Sequence, residues 1–341
     1  MRFLRRISSY FNREEQPASI AAAHANRILD FSEERCKLRV ENRQLVVEKA
    51  DGAVTAIPFA EIAVIIISNN GVSLTQSVLQ TVAECAGMLV ICDYKHLPVS
   101  MMLPMQPCSI PVERLKLQIE ASLPTVKSAW QQVVKAKIQA QGHLLTECFG
   151  NDAGLMKIAE SVKSGDPDNR EAYAAKSYWK ALFPEIDFHR NPDSDDPINI
   201  RLNYGYTILR SMTARAICAT GFHPALGIHH CHQRDAFCLA DDLMEPFRPL
   251  VDKTVRILFK ASRTLKSIQM TKTLDPKTKE RMIFPLTKRF IANGEKRKLF
   301  DIITLLAQSL VKYYGKETTE LYLPEIEWID NNEEETRDIP G

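Results

Sequence analysis

The sequence predicts a two-domain α+β protein, a small β-rich N-terminal domain followed by a larger all-α C-terminal domain. Strand-like apolar patterning dominates from about residue 28 to 102, whereas helical spacing dominates from about residue 113 onward. Between the two, prolines at 98, 104, 107 and 111 mark a linker, because proline continues neither a helix nor a central strand. With 341 residues, 45% of them apolar and 25% charged, the chain can fill two ordinary hydrophobic cores.

The N-terminal elements follow in order. Residues 36–40 alternate apolar and polar side chains, residues 45–47 continue after a short polar turn, and Asp51-Gly52 separates them from residues 54–57. These three runs predict antiparallel strands. Residues 62–67 and 88–92 are continuous apolar runs and predict buried strands; between them residues 74–85 predict a helix ended by Gly87. Beyond the linker, Leu115 and Ile119, then Trp130, Val133, Val134 and Ile138, then Leu155, Ile158, Ala159 and Val162 recur at helical spacing, and the pattern continues to Tyr313-Tyr314. The domain boundaries are an extension at 1–24, a β-rich domain at 25–103, a linker at 104–112, a helical domain at 113–320 and an acidic tail at 321–341.

Composition excludes several classes. The longest apolar run, residues 62–67, is far short of the ~20 residues of a membrane-spanning helix. The basic start (Arg2, Arg5, Arg6) leads into a polar segment, so no secretory signal is expected, although Phe3, Leu4, Ile7 and Phe11 permit a basic amphipathic helix. Eight scattered cysteines lack the density of a disulfide scaffold and fit a reducing cytoplasm. The net charge of +2 conceals an asymmetry: residues 253–298 hold fourteen Lys/Arg against three Asp/Glu, while residues 325–338 hold seven acids against Arg337. Such a basic segment can neutralise a phosphate backbone, or be an ordinary solvated helix surface.

Two segments carry chemistry. In the first, Gly165-Asp166-Pro167-Asp168 gives helix start signals, and the helix that follows puts Glu171 on the same stripe as Ala174, Ala175, Tyr178 and Leu182. A carboxylate facing a core must be protonated, paired with a cation or bound to metal. In the second, His223, His229, His230 and His232 crowd a turn-rich stretch ahead of a helix on which Asp242 and Glu245 share a face. A divalent cation would relieve their repulsion, and His230 can close the same site from the preceding loop. The competing readings are a structural zinc site using these histidines with Cys231 and Cys238, and polar loop residues with no ligand at all.

Four ordered blocks are Asp168-Asn169-Arg170-Glu171-Ala172; Leu202-Asn203-Tyr204-Gly205-Tyr206; Pro224-Ala225-Leu226-Gly227-Ile228-His229-His230; and Phe237-Cys238-Leu239-Ala240-Asp241-Asp242-Leu243-Met244-Glu245-Pro246-Phe247. Together they resemble the CRISPR-associated integrase of the spacer-acquisition (adaptation) module, the larger of its two core proteins, in its type II-like form. Cys92-Asp93-Tyr94-Lys95-His96-Leu97-Pro98 extends the similarity, which spans roughly residues 25 to 320. The resemblance implies a metal-dependent DNA endonuclease and integrase that inserts foreign fragments as spacers into a CRISPR array, by 3′-hydroxyl attack on repeat phosphodiesters. It implies Glu171, His230 and Glu245 as ligands of Mg²⁺ or Mn²⁺, with Asp242 a nearby acid; His230 is preferred to His229 because it ends the Gly-Ile-His-His motif. It further implies a homodimer formed through the β-rich domain, a small adaptation partner protein, and 113–320 as the catalytic domain. Arg248, Arg256, Lys260 and Arg263 are candidate DNA contacts by charge and position. The alternative of another class is a non-catalytic DNA-binding module held by zinc.

Overall fold

The computed structural model describes residues 27–31, 34–85, 87–92, 98–102, 111–264 and 270–328. The extension 1–24, most of the linker, residues 93–97, Cys108, Lys266 and the tail beyond 328 lie outside the described residues. Strands β1 (Arg27–Phe31), β2 (Cys36–Glu41), β3 (Gln44–Lys49), β4 (Val54–Pro58), β5 (Ile62–Ile67) and β6 (Ser73–Leu74) lead into helix α1 (Gln76–Glu84) and strands β7 (Met88–Cys92) and β8 (Pro98–Met102). They form two sheets, ordered β4-β3-β2-β6 and β1-β5-β7-β8. As expected, β2, β3 and β4 pair antiparallel. The two buried strands instead pair parallel, β5 with both β1 and β7, which accounts for their unbroken apolar runs.

The β5 sheet faces two cores. Val64, Ile66, Met88, Val90 and Cys92 join the core of the helical part. Ile62, Ile65 and Leu89 instead pack with Leu38, Leu45 and Val47 of the other sheet and with Val78 and Val82 of α1. The strand-rich region is thus welded to the helices through one sheet face. Proline 98 opens β8, an edge strand antiparallel to β7, so it begins a strand where the sequence pointed to linker.

The helical part comprises α2 (Pro111–Ile119), α3 (Leu123–Phe149), α4 (Leu155–Glu160), α5 (Arg170–Leu182), α6 (Pro197–Ala219), α7 (Cys238–Met244), α8 (Arg248–Thr264), α9 (Pro276–Thr287) and α10 (Leu299–Tyr314). Its axis is α6, buried along most of its length. Asp196 caps α6 by accepting the amides of Ile198 and Asn199 at 3.0 and 3.1 Å, with Pro197 supplying the fixed φ of the first turn. Gly205 lets α8 close against α6, since a Cβ there would lie 2.4 Å from Val251 Cγ1. The Tyr204 hydroxyl donates to Asp30 of β1, tying α6 to the β sheet.

One expectation is corrected. The C-terminal part is not all-α: β9 (Arg289–Ala292), β10 (Glu295–Lys298) and β11 (Ile326–Trp328) form a sheet ordered β10-β9-β11. The turn between β9 and β10 is Asn293-Gly294, both at positive φ (52° and 79°), the residue pair that twists two antiparallel strands into register. The chain expected to begin an acidic tail at 321 instead docks: Leu321 is buried and Trp328 meets Phe290 edge-on, with ring centroids 5.1 Å apart. That indole also receives the Lys253 ammonium, 4.6 Å from its centroid.

Candidate active site

Glu171 is placed by the turn before its helix. The Asp166 carboxylate accepts the amides of Arg170 (2.8 Å) and Glu171 (3.0 Å), and Asp166 and Asn169 both adopt left-handed φ to bring this about. Asp166 therefore caps the first turn of α5 with its side chain, from three residues ahead of the N-cap position Asn169. Asp168, the residue the sequence suggested as part of the start signal, pairs with Lys163 on the surface instead.

Glu245 stands in the single 3-10 turn (Glu245–Phe247) between α7 and α8, its side chain only 3% exposed. Between it and Glu171 lies Lys137 of α3, whose Nζ is 2.6 Å from Glu171 Oε1 and 2.6 Å from Glu245 Oε2. Both are charge-assisted contacts, and the one to Glu245 helps to lower that carboxyl's pKa. Arg248 reaches the other oxygen, with Nη2 3.1 Å from Glu245 Oε1. Burial pushes the Glu245 carboxyl up, but Arg248 and Lys137 outweigh it and leave the group below its ordinary pKa. Glu245 is thus held ionised in a buried place.

His230 enters from the loop ahead of α7, and Asp242 governs it. Fully buried, Asp242 accepts the amides of Ile228 (2.5 Å), His229 (3.0 Å) and His230 (3.2 Å), and its Oδ1 lies 2.6 Å from His230 Nδ1. Because a carboxylate only accepts, Nδ1 carries the proton and Nε2 is left as the ring's available lone pair when the imidazole is neutral. The hydrogen bond to Asp242 raises the His230 pKa against the opposing effect of burial, and the charge of Glu245 adds to the rise. The Asp242 oxygens, which two acids on one helical turn suggested would face a cation with Glu245, accept from the loop: three backbone amides and the His230 ring. Gly227 makes that loop possible, for a Cβ there would sit 2.2 Å from the His230 carbonyl oxygen and 2.9 Å from Asp242 Oδ2.

The neighbouring histidine is differently employed. His229 stacks on Trp130 of α3, centroids 4.4 Å apart and planes 4° from parallel, while His230 meets the same indole edge-on at 5.9 Å. The zinc arrangement finds no geometry: Cys231 is exposed, Cys238 Sγ lies 3.4 Å from the Asp235 carbonyl oxygen within its own turn, and no disulfide joins the pair. Among the described residues no three His, Cys, Asp or Glu side chains form a ready metal cage. At Glu171 and Glu245 it is the Lys137 ammonium that stands between the two carboxylates. The donor set nonetheless fits a hard divalent ion: two carboxylates drawn to one positive centre, and an imidazole fixed through its other nitrogen.

A model of the family described as CRISPR associated protein Cas1 matches residues 31–283. The chain belongs to the Cas1 family. Among relatives of this family, the CRISPR-associated endonuclease Cas1 of Neisseria meningitidis is 35% identical over 297 residues, 85% of this chain and 93% of that protein. The CRISPR-associated endonuclease Cas1 1 of Francisella tularensis subsp. novicida is 26% identical, covering 81% and 92%. Of solved structures, a casposase bound to integration product superposes with a TM-score of 0.71 at 20% identity over 89% of this chain and 94% of its own. A Cas1 protein from Thermotoga maritima gives 0.66 at 16% identity over 84% and 97%. The fold is therefore the Cas1 fold.

On this Cas1 scaffold the four candidate DNA-binding residues separate. Lys260 and Arg263 are exposed on α8. Arg256 is not available: it is buried, pairs through both terminal nitrogens with Glu185 at 2.7 Å, and lies over the rings of Phe149, Phe183 and Phe259. Arg248 is likewise turned inward, onto Glu245 and the ring of Tyr206. Charge alone does not separate them, because amphipathic α8 buries the Arg256 side chain against a carboxylate and aromatic rings and leaves Lys260 and Arg263 in solvent. Arg256→Ala should destabilise the fold by about 2 kcal/mol in thermal denaturation, with no change in the salt dependence of DNA binding.

Sequence reading missed Lys137. Its signal was there, since Lys137 and Gln141 continue the apolar stripe of Trp130, Val133, Val134 and Ile138, and a lysine on such a stripe requires a buried anion. It also missed Asp252, fully buried in α8, which accepts the hydroxyls of Tyr178 (2.7 Å) and Tyr206. Burial pushes its carboxyl up to about 6 despite those two hydrogen bonds. The network backs Arg248, which rests on the Tyr206 ring 4.7 Å from its centroid.

Proposed function

We propose that this protein is a divalent-metal-dependent DNA endonuclease and strand-transfer integrase of spacer acquisition, with Glu171, His230 and Glu245 as its metal ligands. The observation that carries the reading is the convergence of half-buried Glu171 and buried Glu245, from elements more than seventy positions apart in sequence, on one cationic centre, with an oriented imidazole whose pKa the Glu245 charge helps to raise. The endonuclease names of its relatives and the integration product held by the casposase support the DNA chemistry. In the reaction, the 3′-hydroxyl oxygen of an incoming fragment attacks a repeat phosphorus, and the bond to the displaced 3′-oxygen breaks as that oxygen takes up a proton. Bound Mg²⁺ or Mn²⁺ would supply a Lewis acid that polarises the phosphate and stabilises the departing oxygen. The chain's own part is to hold Glu245 ionised through Arg248 and Lys137, to aim His230 through Asp242, and to fix Glu171 through the Asp166 cap. No serine or cysteine nucleophile is required.

The same reading makes the protein a homodimer through its strand-rich region, joined to a small partner, in keeping with the Cas6-RT-Cas1–Cas2 complex that resembles it (TM-score 0.69). Edge strand β4, exposed at Val54, Thr55 and Ala56, offers one surface for strand pairing between copies. No described helix is long and apolar enough to cross a membrane. The test is strand transfer of short duplex fragments into repeat-containing DNA, with Mg²⁺ or Mn²⁺, with and without the partner; joined product is expected only with metal. Product formed equally well in chelator would refute the metal reading. Exposed Lys260 and Arg263 are expected to contact phosphates. Replacing either with alanine should reduce the slope of log affinity against log salt by about 1, measured by fluorescence anisotropy.

A further inference from the structure

We propose that Lys137 is a built-in counter-cation of the metal site: its ammonium holds Glu171 and Glu245 together before a divalent ion arrives, and competes with that ion for the same carboxylate oxygens. The inference rests on the metal reading above and extends it to a residue outside the ligand set. Three observations bear it. Nζ lies 2.6 Å from an oxygen of each glutamate, so the two oxygens stand no more than twice that distance apart. The Lys137 side chain is only 10% exposed, so little water screens the repulsion between the two carboxylates it separates. Finally, the groups that meet it come from three separate elements: Glu171 from α5, Glu245 from the turn after α7, and Arg248 from the start of α8, a cation that already engages the opposite oxygen of Glu245. The one ammonium thus holds the pair through an oxygen of each glutamate.

A resident cation has a cost for metal affinity. Whenever the ammonium is engaged the site is not competent for metal, and the apparent affinity falls by the fraction of time it is engaged. Removing the charge should therefore tighten metal binding while weakening the metal-free fold, a pair of opposite effects that a merely structural lysine would not produce.

The experiment measures Mn²⁺ binding by calorimetry, and thermal melting in EDTA and in Mn²⁺, for the full chain and for Lys137→Met, Lys137→Arg and Glu245→Gln. Lys137→Met should bind Mn²⁺ about tenfold more tightly than the wild type. It should also melt at a lower temperature in EDTA and gain more from added Mn²⁺. Lys137→Arg, which keeps the charge, should bind like the wild type. Equal or weaker binding by Lys137→Met, or tightening by Lys137→Arg as well, would overturn the proposal while leaving the metal reading intact. Wild-type protein that binds no Mn²⁺, or binds it equally after Glu245→Gln, would instead sink the metal reading itself. Should Lys137→Met fold only with metal, that dependence is itself the weakened metal-free fold expected of it. Melting of Lys137→Met in EDTA at or above the wild-type temperature would count against the proposal, and Lys137→Gln carries the same expectations if methionine fails to pack.

Discussion

Glu245→Gln is expected to lower strand transfer by at least about a hundredfold, because loss of the proposed metal ligand would remove several kcal/mol of charge stabilisation at the reacting phosphate. Glu171→Gln and His230→Ala should fall in the same range. The reason for choosing glutamine is that Glu245 is ionised inside the protein, between Arg248 and Lys137. The amide keeps its volume, removes its charge, and turns one of the oxygens that face Lys137 and Arg248 into a donor. Stability should change less than activity, since the variant leaves Lys137 still paired with Glu171. Rates measured at saturating Mn²⁺ and again at limiting Mn²⁺ separate poor loading from poor chemistry. Were all three variants as active as the parent, the ligand assignment would be wrong.

Asp242 should behave differently, and the contrast is diagnostic. Asp242→Ala strips the loop of a carboxylate that accepts three backbone amides and orients one imidazole. Buried donors left without a partner, and the loss of hydrogen bonds to a charged group, put the cost at about 3–5 kcal/mol. That corresponds to a fall of roughly 4–7 °C in melting temperature for a chain of this size. Asp242→Asn retains one accepting oxygen and should keep most of the fold, yet lose about 10–100-fold in activity as His230 loses its orientation. If Asp242→Asn instead melted like the wild type while losing metal binding as fully as Glu245→Gln, Asp242 would be a ligand rather than a positioning residue.

Much of the fold was legible because its signals are local. Alternation in residues 36–40, the apolar runs at 62–67 and 88–92, and the stripe from Trp130 to Ile138 each reflect a repeat set by backbone geometry, and each emerged as a strand or helix in the expected place. The β9–β10 hairpin was equally local, signalled by Asn293-Gly294, but it was submerged in a stretch read for its charge. Strand β11 had no such signal: three residues in an acidic segment acquire their structure only by pairing with β9.

What the sequence by itself determined is the set of parts: two kinds of hydrophobic period, the family motifs, and Glu171, His230, Asp242 and Glu245 as the candidate site residues. What only the tertiary structure decided is how those parts divide their work. Asp242 and Glu245 lie three positions apart with similar chemistry, yet one carboxylate is consumed by three amides and a histidine, while the other faces two cations. Arg256 and Lys260 lie on one helix, yet one is sealed under aromatic rings and the other meets solvent. Lys137, at a distance of 34 positions from Glu171, enters the site from another helix altogether. The physical reason is that ionisation, hydrogen bonding and access depend on which groups approach within a few ångströms through space, and spacing along the chain encodes that approach only within a single helix or strand.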